Sequence, residues 1–164
     1  IAIRGGYAPN ERVVAIKLLD NRFFAVAAPT YLARVGVPDH PAALRQHAGL
    51  YFRTPTGPTP WLSYFDQQWQ DVSAPAVGIS NNGTWLMAQT LAGAGIVLLP
   101  KWVTEPYLAR GELILLDLQP SVTITSHPDA SVFLLYQKHR YLVPKIKSAV
   151  DFLVDRIAQT TATA

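Results

Sequence analysis

Residues 80–103, SNNGTWLMAQTLAGAGIVLLPKWV, are the stretch from which we interpret the rest of the chain. The apolar residues 85–92 predict a helix with no solvent-exposed face, which belongs in a protein interior. Two glycines follow, and the apolar residues 96–99 then predict a buried strand. Pro100 is typical of a first helical position and predicts the start of a second helix. This order of elements predicts a buried helix, then a buried strand, and then a second helix.

The polar residues Ser80, Asn81 and Asn82 come directly before the apolar helix. The first N–H groups of a helix have no partner inside it, and the helix dipole makes that end weakly positive. Such an end attracts carboxylates, phosphates or polar ligand oxygens. We hypothesise that a small molecule is bound here. The alternative is that Asn81 or Asn82 only caps the helix, as asparagine commonly does.

The composition is that of a folded globular chain. Of its 164 residues, 49% are apolar and 15% are charged, which predicts one domain or two small lobes. No apolar run is long enough to cross a membrane. The absence of cysteine excludes disulfides and thiolate chemistry and fits a cytoplasmic protein. The chain starts IAIRGG without an initiator methionine, so we expect it to be part of a longer protein.

The net charge is +3, and four of the 14 basic residues lie between positions 138 and 147. They are Lys138, Arg140, Lys145 and Lys147, with His139 among them. One interpretation is a nucleic-acid footprint. The other, which we prefer from the sequence, is a solvated loop and helix start, because the total charge is small and Tyr141 is the only aromatic residue interleaved among these cations.

Apolar runs that read as strands alternate with helical patterns, which predicts an α/β fold. Two strands, 23–28 and 131–136, enclose a self-contained middle. This predicts one lobe, 23–127, inserted into a second, incomplete lobe, 1–22 with 128–164.

The predicted strands are 1–6 (ending in a Gly-Gly turn), 13–19, 23–28, 50–53, 61–65, 76–80, 96–99, 113–118 and 131–136. The predicted helices are 31–35 (capped by Thr30), 41–47, 85–92, 102–110 and one from 144, and the predicted loops and turns are 7–12, 54–60, 66–71 and 119–130.

Catalytic motifs are absent from the sequence. It has no phosphate-binding glycine loop and no hydrolase serine elbow. The four histidines lack zinc-site spacing and are interpreted as surface or capping residues. The closest acidic pairs, Asp66 with Asp71 and Asp151 with Asp155, fall in a turn and on a polar helix face, which is not the setting of an acid–base pair. We therefore predict that the chain is not an enzyme and needs no cofactor or metal.

Five segments occur in an order that is found in a known family. They are IAIRGG, FFAVAAPTYLARVGVPDHPAALRQHAGL, SNNGTWLMAQTLAGAGIVLLPKWV, PYLARGELILLD and VFLLYQKHRYLVPKIKSAVDFLVDRI. With these segments the chain resembles the effector-binding (regulatory) domain of LysR-type transcriptional regulators over nearly its whole length. The resemblance implies a type 2 periplasmic-binding-protein fold, in which two α/β lobes are joined by two crossing strands and a ligand cleft lies between them.

The resemblance also implies partners. Family members bind DNA through an amino-terminal winged helix, and their regulatory domains pair antiparallel, so we expect a homodimer or a higher oligomer formed through an edge strand and its adjacent helix. This chain departs from the family pattern because it has no winged helix, no linker helix and no first half of the outer lobe. DNA binding is therefore expected only through a segment outside these residues, and no membrane partner is expected. A longer loop, residues 6–12, also makes the alignment of Arg4 less secure.

The electropositive helix end described above predicts an effector that is anionic or polar, and the resemblance places effector contacts at three points of the chain. They are Arg4 and Gly5 after the first strand, Ser80, Asn81 and Asn82 at the helix start, and Leu99, Pro100 and Lys101 after the buried strand. The second group coincides with the helix end to which electrostatics pointed independently. Arg4 has an alternative interpretation as an ordinary surface arginine.

Two other functions stay open at this stage. A solute-binding protein of a transport system shares the implied fold, and a secretory signal before the chain would favour it over a helix-turn-helix regulator. A small α/β enzyme is the weaker alternative because no nucleophile or metal set is present. Turnover of a bound ligand would favour the enzyme.

Overall fold

The computed structural model describes residues 1–6, 13–127 and 130–162. Its internal contacts divide the chain into two compact units, which are described separately below: unit 1 is Ile1–Asn21 with His127–Ala164, and unit 2 is Arg22–Ser126. The lobe boundaries drawn from the sequence stay a prediction. Among the residues that are described, no helix is both long and apolar enough to cross a membrane.

Unit 1 contains, in its described residues, a three-stranded antiparallel sheet in the order β1-β12-β2. Leu134 on the central strand is fully buried, as is Val150 on the last helix. The predicted strand 131–136 is confirmed. The elements are β1 (Ala2–Gly6), β2 (Val14–Asp20), β12 (Ser131–Tyr136), a 3-10 helix (Lys138–Leu142) and α4 (Pro144–Ala162).

The predicted Gly-Gly turn at the end of β1 is wrong. Gly5 pairs with Val132 and Gly6 with Ser131, so both glycines extend the strand. A strand tolerates glycine where another group approaches closely, and a Cβ on Gly5 would lie 3.2 Å from the Asn21 side-chain amide. The predicted loop 7–12, which the resemblance extends to 6–12, lies outside the described residues except for Gly6.

All of unit 2 lies within the described range 13–127, and its largest sheet has six strands in the order β10-β3-β9-β4-β5, with β8 paired to β4. Strands β4, β8 and β9 are parallel to one another, whereas β3 and β10 run antiparallel to their neighbours. The strands are β3 (Phe23–Ala27), β4 (Gly49–Thr54), β5 (Gly57–Pro58), β8 (Ala76–Ser80), β9 (Ile96–Pro100) and β10 (Ile114–Leu115).

Both faces of this sheet are covered at its centre. Successive side chains of a strand point to opposite faces, so a strand buried at every position is covered on both sides. On β9, Ile96 and Leu98 enter one core cluster and Val97 and Leu99 enter the other. The first cluster packs under α1 and a 3-10 helix, and the second under α2 and α3. These helices are α1 (Pro29–Val35), the 3-10 helix (Pro41–Gln46), α2 (Gly83–Leu91) and α3 (Lys101–Ala109).

A second sheet of unit 2 has three antiparallel strands in the order β11-β6-β7, namely β6 (Leu62–Phe65), β7 (Gln68–Asp71) and β11 (Val122–Thr123). The prediction of a turn over 66–71 is wrong. Only Asp66 and Gln67 turn, with φ of 51° and 61°, which suits the twist of a two-residue hairpin. The sequence missed β7, because an edge strand exposed on one face carries mostly polar residues, and the two-residue β11 lies inside the predicted loop 119–130.

The prediction that the apolar helix has no solvent face is also wrong. Leu86 and Met87 pack into the core, but Trp85 is 40% exposed. The helix covers the sheet with one side only, and the apolar residues on its other side stay at the surface. Thr90 lies on the buried side, where its hydroxyl donates a hydrogen bond to the Leu86 carbonyl at 2.8 Å.

Several predicted element ends are corrected by the backbone. Helix α1 begins at Pro29 after Ala28, so Thr30 is not its cap. Pro100 closes β9 and precedes the first helical residue, Lys101. The predicted strand 113–118 shortens to Ile114–Leu115.

One buried polar contact ties α1 to the segment before β4. The Tyr31 hydroxyl accepts a hydrogen bond from the Ala48 N–H at 2.8 Å and lies 3.1 Å from the His47 Nδ1 atom. Burial lowers the pKa of His47, which suits a neutral imidazole whose Nδ1 atom accepts a hydrogen bond from the Tyr31 hydroxyl. His47 is thus buried and not a surface histidine, and it occupies the C-cap position of the 3-10 helix, where its N–H donates to the Leu44 carbonyl. His40 does cap the 3-10 helix, by accepting from the Ala42 N–H at 3.1 Å.

We predict that Gly95→Ala destabilises the protein strongly. The added Cβ would collide with the Ala48 carbonyl oxygen and lie 3.0 Å from its carbonyl carbon, and neither backbone atom can move freely because Ile96 N–H bonds to that oxygen at 2.8 Å. We expect a loss of about 3 kcal/mol in the free energy of unfolding, measured by urea denaturation. Gly83→Ala is the control, since nothing lies within 4 Å of its Cβ position. Equal effects of the two substitutions would contradict this account.

Candidate functional site

The carboxyl ends of the three parallel strands of unit 2 meet at one edge of its sheet, which we call the carboxyl edge. These ends are Thr54 on β4, Ser80 on β8 and Pro100 on β9. In open α/β sheets, ligands bind outside the carboxyl ends of parallel strands. Helices α2 and α3 begin within three residues of two of these ends. Their amino ends therefore lie close to this edge.

The turn from β8 into α2 is closed by its own side chains. The Ser80 hydroxyl oxygen accepts a hydrogen bond from the Asn82 N–H at 3.0 Å. The Asn82 Oδ1 atom accepts from the Thr84 and Trp85 N–H groups at 3.0 and 3.2 Å. Asn82 thus caps α2, as the alternative interpretation of the sequence proposed. Its side-chain oxygen already serves two of the N–H groups that a ligand anion would use.

Asn81 differs from its neighbour. It is exposed, and its side chain makes no hydrogen bond to any residue in the described ranges. A primary amide offers two N–H donors and one carbonyl acceptor, so Asn81 presents all three to solvent. Next to this turn lies Phe52, which pairs in register with Ser80 and is 37% exposed. The turn therefore presents a free amide, and the strand paired with its first residue carries a partly exposed aromatic residue.

The junction between β9 and α3 contributes one exposed side chain. Leu99 is 5% exposed and belongs to the core cluster under α2 and α3, so its side chain points away from solvent. Pro100 is buried and provides no side-chain cap. Lys101 is exposed, with its Nζ atom 3.7 Å from Glu105. Of the three predicted contacts here, only Lys101 offers a charged group to a ligand.

Arg4 and Gly5 lie on β1 in unit 1, where Arg4 pairs with Phe133. The Arg4 side chain is exposed. Gly5 is closely approached by Asn21, as described above. The structure thus places both residues in a regular strand, and their role as effector contacts stays a prediction.

The electrostatics of the carboxyl edge favour a negative or polar group. Neither α2 nor α3 has an acidic residue in its first turn, and α3 has no side-chain cap. Lys101 adds a cation at the start of α3. An anion at such an edge meets partial positive charge from the helix ends, worth about 0.3–1 kcal/mol for each end at an exposed site. The arrangement is suited to binding a small anion.

Sequence reasoning missed Phe52, whereas it predicted the threonine-rich loop 54–60 that follows, either as a rim loop over a site or as a plain connector. The Thr54 hydroxyl donates to the Gly57 carbonyl at 2.9 Å, and the Thr59 hydroxyl donates to the Phe52 carbonyl at 3.2 Å. These bonds fold the loop back beside β4. The available signal for Phe52 was its position near the carboxyl end of the predicted strand 50–53. The ends of two other predicted strands, 76–80 and 96–99, were already candidate contacts.

Comparison with known proteins gives a consistent result. The family model described as the LysR substrate binding domain matches residues 1–158. The HTH-type transcriptional regulator CrgA of Neisseria meningitidis serogroup B is 29% identical over 157 residues, which cover 96% of this chain and 51% of the relative. PtxR of Pseudomonas aeruginosa, also named an HTH-type transcriptional regulator, is 28% identical over 165 residues, covering 97% and 49%.

Solved structures agree with these matches. The structure of CrgA, a LysR-type transcriptional regulator from Neisseria meningitidis, superposes with a TM-score of 0.80 at 26% identity, covering 94% of this chain and 51% of that one. The regulatory domain of AphB from Vibrio vulnificus, at 20% identity and a TM-score of 0.74 over 94% and 73%, shares the fold. The chain spans about half the length of the curated relatives that it matches.

We predict that Asn82 and Asn81 respond differently to truncation. Asn82→Ala removes the cap of α2 and should lower the free energy of unfolding by about 1 kcal/mol, whereas Asn82→Asp should retain most of it. Asn81→Ala removes no hydrogen bond within the described residues and should leave stability within about 0.5 kcal/mol of the parent. Urea denaturation of the three variants measures this difference. A larger loss for Asn81→Ala than for Asn82→Ala would refute the assignment of the cap.

Proposed function

The chain belongs to the LysR substrate-binding domain family, and on that premise we propose that it senses a small-molecule effector for a DNA-binding transcriptional regulator. The match of the family model over residues 1–158 carries this proposal. Relatives that are named HTH-type transcriptional regulators favour a regulator over a transport protein of similar fold. Operator recognition by a winged helix outside these residues is part of the same proposal. We assign no catalytic step to the chain and place its action in the cytoplasm, where it would meet its operator.

For unit 2 we propose that the effector is held at the carboxyl edge by Asn81 and Lys101, with Ser80 and Phe52 beside them. The free amide of Asn81 can donate to a carboxylate oxygen, and Lys101 can neutralise its charge. Asn82 then acts as a positioning residue, because its cap fixes the turn that carries Asn81. These contacts support an effector with at least one anionic or strongly polar oxygen group.

The proposed mechanism is a shift between two arrangements of the whole regulator. An effector can move such an equilibrium only by the difference in its affinity for the two arrangements. A coupling of about 1–3 kcal/mol between effector and operator is ordinary for such proteins. One or two hydrogen bonds to a charged effector group, at about 1.5–3 kcal/mol each, can provide a difference of this size if they form in only one arrangement.

We further propose that a second copy of the chain docks along β8 and α2. Within the described residues, β8 pairs with β4 alone, which leaves its other edge open. The strand exposes Val77 (58%) and Ile79 (43%), and α2 exposes Trp85. An open apolar edge strand is a template for pairing with another chain, and these side chains support a homodimer formed by strand and helix.

We predict that Asn81→Ala weakens effector binding without loss of folding. Isothermal calorimetry with benzoate and succinate as anionic probes measures the affinity, and loss of one hydrogen bond to a carboxylate should raise Kd about tenfold or more. Arg45→Ala, an exposed residue of the 3-10 helix Pro41–Gln46, is the control and should leave Kd unchanged. Equal binding by the Asn81→Ala variant and the parent would defeat the site assignment.

We predict that charge placed on β8 dissociates the dimer. The double variant Val77→Glu with Ile79→Glu should elute as a monomer in size-exclusion chromatography with light scattering, since buried like charges oppose pairing. The matched control is Ile114→Glu with Leu115→Glu on β10, another edge strand of the same sheet, whose side chains are 41% and 47% exposed. Dissociation by the β10 variant instead would reassign the interface.

A further inference from the structure

The net positive charge of the chain is confined to one of its two units. Unit 2 carries six basic and six acidic side chains, whereas unit 1 carries eight basic and five acidic ones, so the excess of +3 belongs to unit 1. The segment from residue 130 to residue 150 contains four lysines or arginines and no carboxylate. Such asymmetry between parts of a chain points to a polyanionic partner.

Three of the four cations in this segment have no ion-pair partner within the described part of the chain. Lys138, Arg140 and Lys145 are exposed, and none of them forms an ion pair with any residue in the described ranges. The first carboxylate that follows these cations in the sequence, Asp151, is already engaged at both oxygens. Its Oδ1 atom accepts from the Tyr141 hydroxyl at 2.7 Å, and its Oδ2 atom accepts from the Lys147 ammonium at 2.6 Å.

The backbone that carries these cations forms local hydrogen bonds. Arg140 N–H donates to the Gln137 carbonyl at 2.8 Å, and Val143 N–H donates to the Arg140 carbonyl at 3.0 Å. The ring of Tyr141 stacks on Tyr136 with 5.3 Å between centroids. The cations therefore project from a fixed 3-10 helix and from the first turn of α4.

We propose that Lys138, Arg140 and Lys145, which we call the basic segment, bind the phosphate backbone of duplex DNA without reading its sequence. The choice of DNA over an acidic protein rests on the proposed function, because a regulator held on its operator keeps this unit at a high local concentration of duplex. Phosphate contacts need only accessible cations, and Lys and Arg supply most of them in protein–DNA complexes. This contact adds to the operator recognition that a winged helix provides.

The number of phosphate contacts determines how steeply the affinity for duplex DNA falls with salt concentration. Each phosphate neutralised by the protein contributes about −0.9 to the slope of log K against log salt concentration. Three contacts therefore reduce the affinity by about 40-fold between 50 and 200 mM salt. Removal of the basic segment should make the slope shallower by about 3.

The experiment uses the 164-residue chain and a fluorescent 20-base-pair duplex of arbitrary sequence, with anisotropy measured from 25 to 200 mM salt. The test variant is Lys138→Gln, Arg140→Gln and Lys145→Gln together. The matched control is Lys17→Gln, Arg45→Gln and Arg53→Gln, which removes the same charge from exposed residues elsewhere. The expected result is a weaker and less salt-dependent interaction for the test variant only, with unchanged unfolding midpoints.

Four outcomes would overturn the proposal. They are no binding of the duplex at 25 mM salt, equal losses in the two triple variants, equal binding of polyglutamate of matched charge, and tighter binding to phosphatidylserine vesicles than to the duplex. The vesicle arm is included because Leu142, beside the cations, is 85% exposed. Effector calorimetry on the same variants separates the two proposals, since the basic segment lies in unit 1 and the tested effector residue in unit 2.

Discussion

Burial of one sheet on both faces is the constraint on which unit 2 depends. All five residues of β9 are buried, and their side chains alternate between two core clusters. A strand of this kind can only lie inside a sheet that is covered by helices on each side. The parallel pairing of β4, β8 and β9 then brings their carboxyl ends, and the starts of α2 and α3, to one edge. The candidate site is a consequence of how the core is covered.

At that edge, two neighbouring asparagines differ in what their side chains contact. Asn82 uses its side-chain oxygen on two backbone N–H groups and holds the turn, while Asn81 keeps its amide available. Adjacent residues of the same type thus have different roles because only one of them is at the capping position. The exposure of Phe52 next to Ser80 adds an apolar surface beside the polar groups. Together they suit a ligand with a polar oxygen group and an apolar body.

The distribution of charge gives the two units different chemical characters. Unit 2 has balanced charge and contains the carboxyl edge that we propose as the effector site, whereas unit 1 has all of the excess positive charge. A regulator has to respond to a small molecule while it stays close to DNA. The excess positive charge therefore lies in the unit that does not contain the Asn81 turn.

The sequence alone determined the α/β class and most of the longer elements, because apolar runs, glycines and prolines report local preferences directly. The family was indicated by the resemblance of five ordered segments, and the match over residues 1–158 shows it. Strands 76–80 and 131–136 were predicted at their observed bounds. Only the tertiary structure decided which apolar residues are covered, so Trp85 is exposed on a helix predicted to be buried all round, and polar β7 forms because a neighbouring strand pairs with it. It also decided that Asn82 caps while Asn81 stays free and that His47 is buried against Tyr31. These outcomes depend on neighbours that are distant in the chain, and local composition carries no record of them.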